Sequence, residues 1–209
     1  MPQSVPADHF MDRLRYLTKG NHGTWRGLIR ALLGQTEFAL GRLASHTRPD
    51  AAGVERLVFV CLGNINRSAF AEQVARALGA NTCSIGLSTT TGAPAFHKAI
   101  ESAPRFGIDL SGHRATDIKD YEFQPTDLLL VMEIRHARRL VAAGLPPESI
   151  ALLGHWGSPH RIHIHDPHTL SDAYFHTCFT LIQSAVLGLV ADMRARWSPC
   201  LPDERLSDL

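Results

Sequence analysis

From residue 54 onward the chain alternates short, apolar, β-rich runs with helical stretches, a pattern that builds a parallel sheet covered by helices. Val58-Phe59-Val60-Cys61 precedes a helix expected from about Ser68 to Leu78, and Cys83 to Leu87 precedes one around Ala95 to Phe106. Asp127 to Met132 leads into Ile134 to Ala143, and Ile150 to Leu153 leads, after a long loop, into a helix from about Asp172 to Met193. The runs are continuously apolar rather than alternating, as strands buried on both faces must be. The expectation is therefore an α/β fold, a four-stranded parallel sheet with helices on both faces, preceded by a helical N-terminal extension. A chain of 209 residues holds one such domain with a few dozen residues over, and its 44% hydrophobic and 20% charged residues are those of a globular protein.

The first 50 residues contain no β-rich run. Trp25, Leu28, Ile29, Leu32, Thr36, Leu40 and Leu43 recur at helical spacing, in a segment where basic residues outnumber acidic ones. A stripe this apolar is expected to pack on the domain or on a twin subunit, the latter making a homo-oligomer. Docking of a basic amphipathic helix on a membrane surface is the lesser alternative. The whole chain has a formal charge of only +1, which excludes bulk electrostatic affinity for nucleic acid or anionic lipid. No apolar run approaches the roughly 18 residues of a membrane span, and Asp8, Asp12, Arg13 and Arg15 interrupt the first 20 residues where a signal peptide would be apolar. Cys61, Cys83, Cys178 and Cys200 form no CxxC pair, which disfavours a zinc knuckle or a disulfide framework. A cytoplasmic, reducing location is expected.

The chemistry concentrates where the first strand ends. Cys61-Leu62-Gly63-Asn64-Ile65-Asn66-Arg67-Ser68 sets a cysteine and an arginine six residues apart, with serine directly after, at a strand-to-helix junction. Backbone N–H groups of Leu62 to Asn66 can turn inward together, and the helix beginning near Ser68 adds its positive end, so the loop is a cradle for a phosphate-like anion. A guanidinium at Arg67 can grip two phosphoryl oxygens at once, and the same positive surroundings favour a thiolate nucleophile.

This segment resembles the low-molecular-weight protein tyrosine phosphatases, whose loop reads V-C-x-G-N-x-C-R-S-P and is followed by a helix with A-E; Val60 to Ser68 and Ala71-Glu72 match it. The likeness continues through Ser84-Ile85-Gly86, Gly107 to Ala115, Asp127 to Met132 and Asp166-Pro167. The resemblance covers about residues 55–193, so the expected division is a helical extension at 1–53, a phosphatase-like domain at 54–195 and a tail at 196–209. The resemblance implies hydrolysis of phosphotyrosine or another phosphomonoester, on a protein or a small molecule, through a phosphocysteine and without metal or other cofactor. Cys61 would attack phosphorus, Arg67 would hold the phosphoryl group, Ser68 would hydrogen-bond the thiolate and Asp166 would be the general acid. Asn64 would sit in a strained conformation held by a polar network in which Ser84 and His113 take part.

Departures from the family pattern carry their own expectations. Asn66 stands where many members have a second cysteine, so a protective disulfide with the nucleophile should be missing. Ala69 replaces a proline with little expected effect. His168 and the polar segment Ser88-Thr89-Thr90-Thr91-Gly92 stand where members carry aromatic residues that wall the phosphotyrosine ring. Two rival readings remain. An arsenate reductase would need two further cysteines some seventy to eighty residues on, and positions 130 to 145 contain none. A phosphate-binding adaptor without turnover would have no use for a nucleophile and an acid together. Cys83 and Cys178 are expected in the core. The cluster His155, His160, His163, His165 and His168 is expected to be solvated rather than to bind metal, with one apolar face buried through Ile162 and Ile164. Protonated, those histidines would favour anionic substrates below about pH 6.5.

Overall fold

The computed structural model describes residues 18–49 and 53–197. Strands β1 (Arg56–Cys61), β2 (Thr82–Gly86), β3 (Asp127–Val131) and β4 (Ile150–Leu152) form one sheet in the order β2-β1-β3-β4, every neighbouring pair parallel. Helices α1 (Trp25–Ala39) and α2 (Ala44–Thr47) precede the sheet, and α3 (Arg67–Ala77), α4 (His97–Ser102), α5 (Ile134–Ala142) and α6 (Asp172–Trp197) follow the strands in turn. The expected α/β sheet is present, with α4 running into a 3-10 turn at Ala103–Phe106 and α6 reaching past Met193.

Because successive strand residues point to opposite faces, each strand feeds two cores. Leu57, Phe59, Leu128, Leu130 and Ala151 pack with α3 and α6, where Phe70 stacks on Phe179 at 4.0 Å between ring centroids. Val58, Val60, Leu129, Val131, Ile150 and Leu152 pack on the other face with Ala137 and Leu140 of α5. Among the described residues α6 is long and apolar enough to cross a membrane, a match the search for unbroken apolar runs overlooked. Its Phe175, Cys178, Phe179, Ile182, Val186 and Leu189 are all buried against the sheet.

The extension lies against the domain, but not by its apolar stripe. Thr24 caps α1, its hydroxyl accepting from the Gly27 N–H at 2.9 Å. The face turned to the domain carries Gly27, Ala31 and Gly34, while Trp25, Ile29, Leu32, Leu33 and Leu40 are exposed. Of the expected stripe, Leu43 alone is fully buried, in the second core. Close approach explains the reversal: a Cβ at Gly27 would stand 2.8 Å from a ring carbon of His165 and 2.1 Å from the His22 carbonyl. Polar ties then set the rotation of the helix. Thr24 Oγ1 is 3.1 Å from His165 Nε2, Gln35 Nε2 donates to the His160 carbonyl at 3.0 Å, Arg138 Nη2 donates to Glu37 Oε2 at 2.7 Å, and Arg161 donates to the Asn21 carbonyl.

The histidine-rich segment is solvated only in part: His168 is exposed, His155 and His160 are half-buried, and Ile162 and Ile164 are buried as expected. Ile162 joins one core and Ile164 the other, His163 is buried, and His165 is half-buried beneath α1. Burial lowers the affinity of His160, His163 and His165 for a proton, which opposes the positive charge expected on these three. Cys178 is in the core as expected, whereas Cys83 is half-buried with its thiol 3.6 Å from the Tyr121 hydroxyl. Cys200 and the 1–17 part of the extension lie outside the described residues.

Candidate active site

In an open parallel sheet, ligands bind beyond the C-terminal strand edge where the winding direction reverses. In the order β2-β1-β3-β4 that point is the end of β1, and the last residue of β1 is Cys61. The chain then turns through 62–66 into α3, whose first N–H groups have no partner inside the helix. A strand end, a tight loop and a helix start thus converge on the Cys61 sulfur.

Polar contacts fix that sulfur. Ser68 Oγ lies 3.0 Å from Cys61 Sγ, and the Asn64 N–H donates to Sγ at 3.2 Å. Asn64 holds a left-handed backbone, φ 50°, which a non-glycine residue adopts only when its surroundings compensate. The compensation is a closed network. Asn64 Nδ2 donates to Ser68 Oγ at 2.9 Å and Ser84 Oγ at 2.7 Å, its Oδ1 accepts from the Thr116 N–H at 2.8 Å, and its carbonyl lies 2.7 Å from His113 Nε2. Ser84 in turn donates to Glu72 Oε2 at 2.6 Å. Asn64, Ser68, Ser84 and His113 are therefore gathered around Cys61, and Glu72, quoted above only as part of a motif, anchors the far end.

Arg67 is 1% exposed, and two carboxylates hold it. Nη1 donates to Glu133 Oε1 at 2.7 Å and to the Ile164 carbonyl at 2.9 Å. Nη2 lies 2.7 Å from Asp166 Oδ2, an ion contact without hydrogen-bond alignment. Burial opposes the guanidinium charge, but Asp166 and Glu133 outweigh it and raise its pKa. Nε and Nη2 are left as buried donors without a hydrogen-bond partner in the described structure, a demand that an incoming oxyanion would satisfy.

Sequence reasoning missed Glu133. It is fully buried and also meets Arg135 Nε at 2.7 Å, with His136 Nε2 at 3.7 Å and His163 Nδ1 at 3.8 Å. Burial alone would raise its pKa, but Arg67 leads the contacts that hold the carboxyl well below the usual range. Its position two residues past β3, on the ligand-binding edge of the sheet, was the available signal. His136 and His163 are lowered too, which keeps them neutral: burial first, helped by Arg67, brings them to about 3 and about 4 despite Glu133.

The segment bearing Asp166 is tied down on each side. The Ile164 N–H donates to the Met132 carbonyl at 3.0 Å, the Tyr174 hydroxyl donates to the His165 carbonyl at 3.2 Å, and α1 reaches the His165 ring through Thr24. The His168 N–H donates to Asp166 Oδ1 at 3.1 Å. Where an aromatic wall was expected to be lacking, the Phe96 ring lies 4.5 Å from the His168 ring, and the Phe96 N–H donates to the Ile65 carbonyl at 3.0 Å. Leu62 is partly exposed, whereas Asn66 is buried with Oδ1 unpartnered in the described structure. Among the described residues no group of three or more histidine, cysteine, aspartate or glutamate side chains could hold a metal ion.

Residues 56–198 match the family model described as low molecular weight phosphotyrosine protein phosphatase. The probable low molecular weight protein-tyrosine-phosphatase EpsP of Ralstonia solanacearum is 30% identical over 144 residues, 68% of this chain and 98% of that protein. The low molecular weight protein-tyrosine-phosphatase Wzb of Escherichia coli K12 is 33% identical over 132 residues, 61% of this chain and 87% of that one. The crystal structure of the tyrosine phosphatase Wzb from Escherichia coli K30 in complex with sulphate superposes with a TM-score of 0.59 at 28% identity, covering 67% of this chain and 99% of that one. A cysteine-ended first strand, an arginine-closed loop and a shared fold have one origin: the chain belongs to the low molecular weight phosphotyrosine protein phosphatase family, whose members are cysteine-dependent phosphatases.

Proposed function

We propose that residues 54–195 hydrolyse phosphotyrosine or a related phosphomonoester through a phosphocysteine. The observation that carries this reading is the placement of Cys61 Sγ, held by Ser68 and the Asn64 N–H within the loop that Arg67 closes. The incoming phosphate takes the free donors of Arg67 and the loop N–H groups, replacing Asp166 as the partner of Nη2. A Cys61 thiolate lone pair forms the S–P bond while the P–O bond to the leaving group breaks, and protonated Asp166 gives its proton to the departing oxygen. Water then attacks the phosphocysteine and yields a proton to the Asp166 carboxylate, and inorganic phosphate leaves as the thiolate is regenerated. Asn64, Ser84, His113 and Glu72 act as positioning residues for the loop, and Phe96 with His168 offers an aromatic edge to a phosphotyrosine ring.

The test is turnover of para-nitrophenyl phosphate in the presence of a chelator between about pH 5 and 8. Cys61→Ser should abolish turnover and retain phosphate binding. Asp166→Asn should leave a slow enzyme, reduced by the ~10² to 10⁴ that acid catalysis contributes. Phosphate binding without turnover in the unaltered protein would establish the adaptor reading instead, and equal losses in the two variants would refute the assigned roles.

A further inference from the structure

Helix α1 has two working faces, and the domain uses one. At 100° per residue, Gly27, Ala31 and Gly34 fall on the side packed against the histidine-rich segment, and Trp25, Ile29, Leu32, Leu33 and Leu40 fall on the opposite arc. Those five side chains are 62%, 45%, 59%, 58% and 61% exposed, along a helix about 22 Å long. A soluble surface rarely spends so many large apolar residues on one contiguous ridge without a partner for it.

Charge identifies the partner. Arg26 and Arg30 border the ridge, and Leu33 lines a cavity of about 160 Å³ in which Arg30, Arg135 and Arg138 outnumber Glu37 and Glu133. Residues 18–49 carry Lys19, Arg26, Arg30, Arg42 and Arg48 against one carboxylate, Glu37, which Arg138 already meets at 2.7 Å. We propose that this face docks on an anionic lipid bilayer: the ridge enters the headgroup–acyl boundary, and Arg26 and Arg30 take lipid phosphates beside it. A second copy of the chain is a poorer occupant, because face-to-face pairing would oppose two sets of arginines with the Glu37 of each already engaged. The orientation has a functional consequence. Thr24, at the N-terminus of α1, touches His165 beside Asp166, so a docked helix holds the catalytic loop close to the lipid surface and to phosphorylated segments near it.

Flotation of the full chain with phosphatidylcholine vesicles, with and without about one third phosphatidylglycerol, tests the proposal. Binding is expected to the anionic vesicles, to weaken in high salt, and to shift Trp emission to shorter wavelength. Ile29→Glu with Leu32→Glu should cut vesicle binding at least about tenfold. Both positions are exposed and outside the phosphatase site, so para-nitrophenyl phosphate turnover and the circular dichroism spectrum should be unchanged. The proposal is overturned if the unaltered chain floats with neither vesicle, or binds neutral and anionic vesicles equally and without salt dependence. It is also overturned if the chain ignores lipid and instead forms a dimer that the double variant dissociates.

Discussion

His136 and His163 make the fold sensitive to mild acid, and the size of the effect can be worked from their surroundings. They are 2% and 5% exposed and flank Glu133 beneath the Arg67 loop. With pKa values lowered to about 3 and about 4 from an ordinary 6.5, both are neutral in the folded protein at pH 5, while an unfolded chain protonates them. Protons therefore favour the unfolded state: stability is fully present above about pH 6.5 and is lost as pH falls toward the folded values. At pH 5 the loss depends on the distance from 6.5 down to 5, and hardly on how far below 5 the folded values lie. That distance is worth about 2 kcal/mol per histidine, or about 4 kcal/mol for the pair, against a total stability of about 5–15 kcal/mol for a domain. Glu133 does not enter at pH 5, because the stability from its depressed pKa is lost only below its ordinary value of 4.5. Neither ring nitrogen of His136 has a hydrogen-bond partner in the described structure, so His136→Leu should cost little at pH 7.5 and reduce the acid loss by about 2 kcal/mol. Urea unfolding of both proteins at pH 7.5 and 5 is the assay. Equal unfolding free energies for the unaltered protein at the two pH values, or a variant that keeps the full loss, would refute the argument.

Two further outcomes follow from the packing. Peroxide should inactivate the protein by leaving Cys61 as a sulfenic or higher acid, without an intramolecular disulfide, as peptide mass mapping would read. Cys61 pairs with Gly86 across the sheet and Cys83 with Val58, a separation of about 10 Å along the strands that exceeds the ~7 Å limit for a bridge. Burial also raises the pKa of the Cys178 thiol, so a Cys61–Cys178 bridge in the map would contradict its assignment as an inert core residue. Gly27→Leu should lift α1 from His165 and lower stability by about 1–3 kcal/mol, measured by thermal unfolding, and it should slow turnover most for substrates with poor leaving groups. Unchanged stability and an unchanged leaving-group dependence would show that α1 does not brace the Asp166 segment.

Much of the molecule was legible before any coordinates because the information is local. Continuously apolar runs between helical stretches specify strands buried on two faces, and a cysteine, a glycine-containing loop and an arginine at a strand end specify where an oxyanion could sit. Asn64, Ser68, Ser84 and His113 were named through family resemblance and lie together around Cys61. Glu133 and Phe96 were not found, since their parts depend on which residues from distant segments meet at one edge of the sheet. The extension shows the limit most clearly. Helical periodicity placed Trp25, Ile29, Leu32 and Leu40 on one side of a helix, but periodicity carries no information about which side faces the protein. That was decided by tertiary fit: the histidine-rich segment comes close enough to exclude a side chain at Gly27, and ties from Thr24, Gln35 and Glu37 fix the rotation. Contact distance and these polar ties outweighed the burial of the larger apolar face, and so turned that face outward.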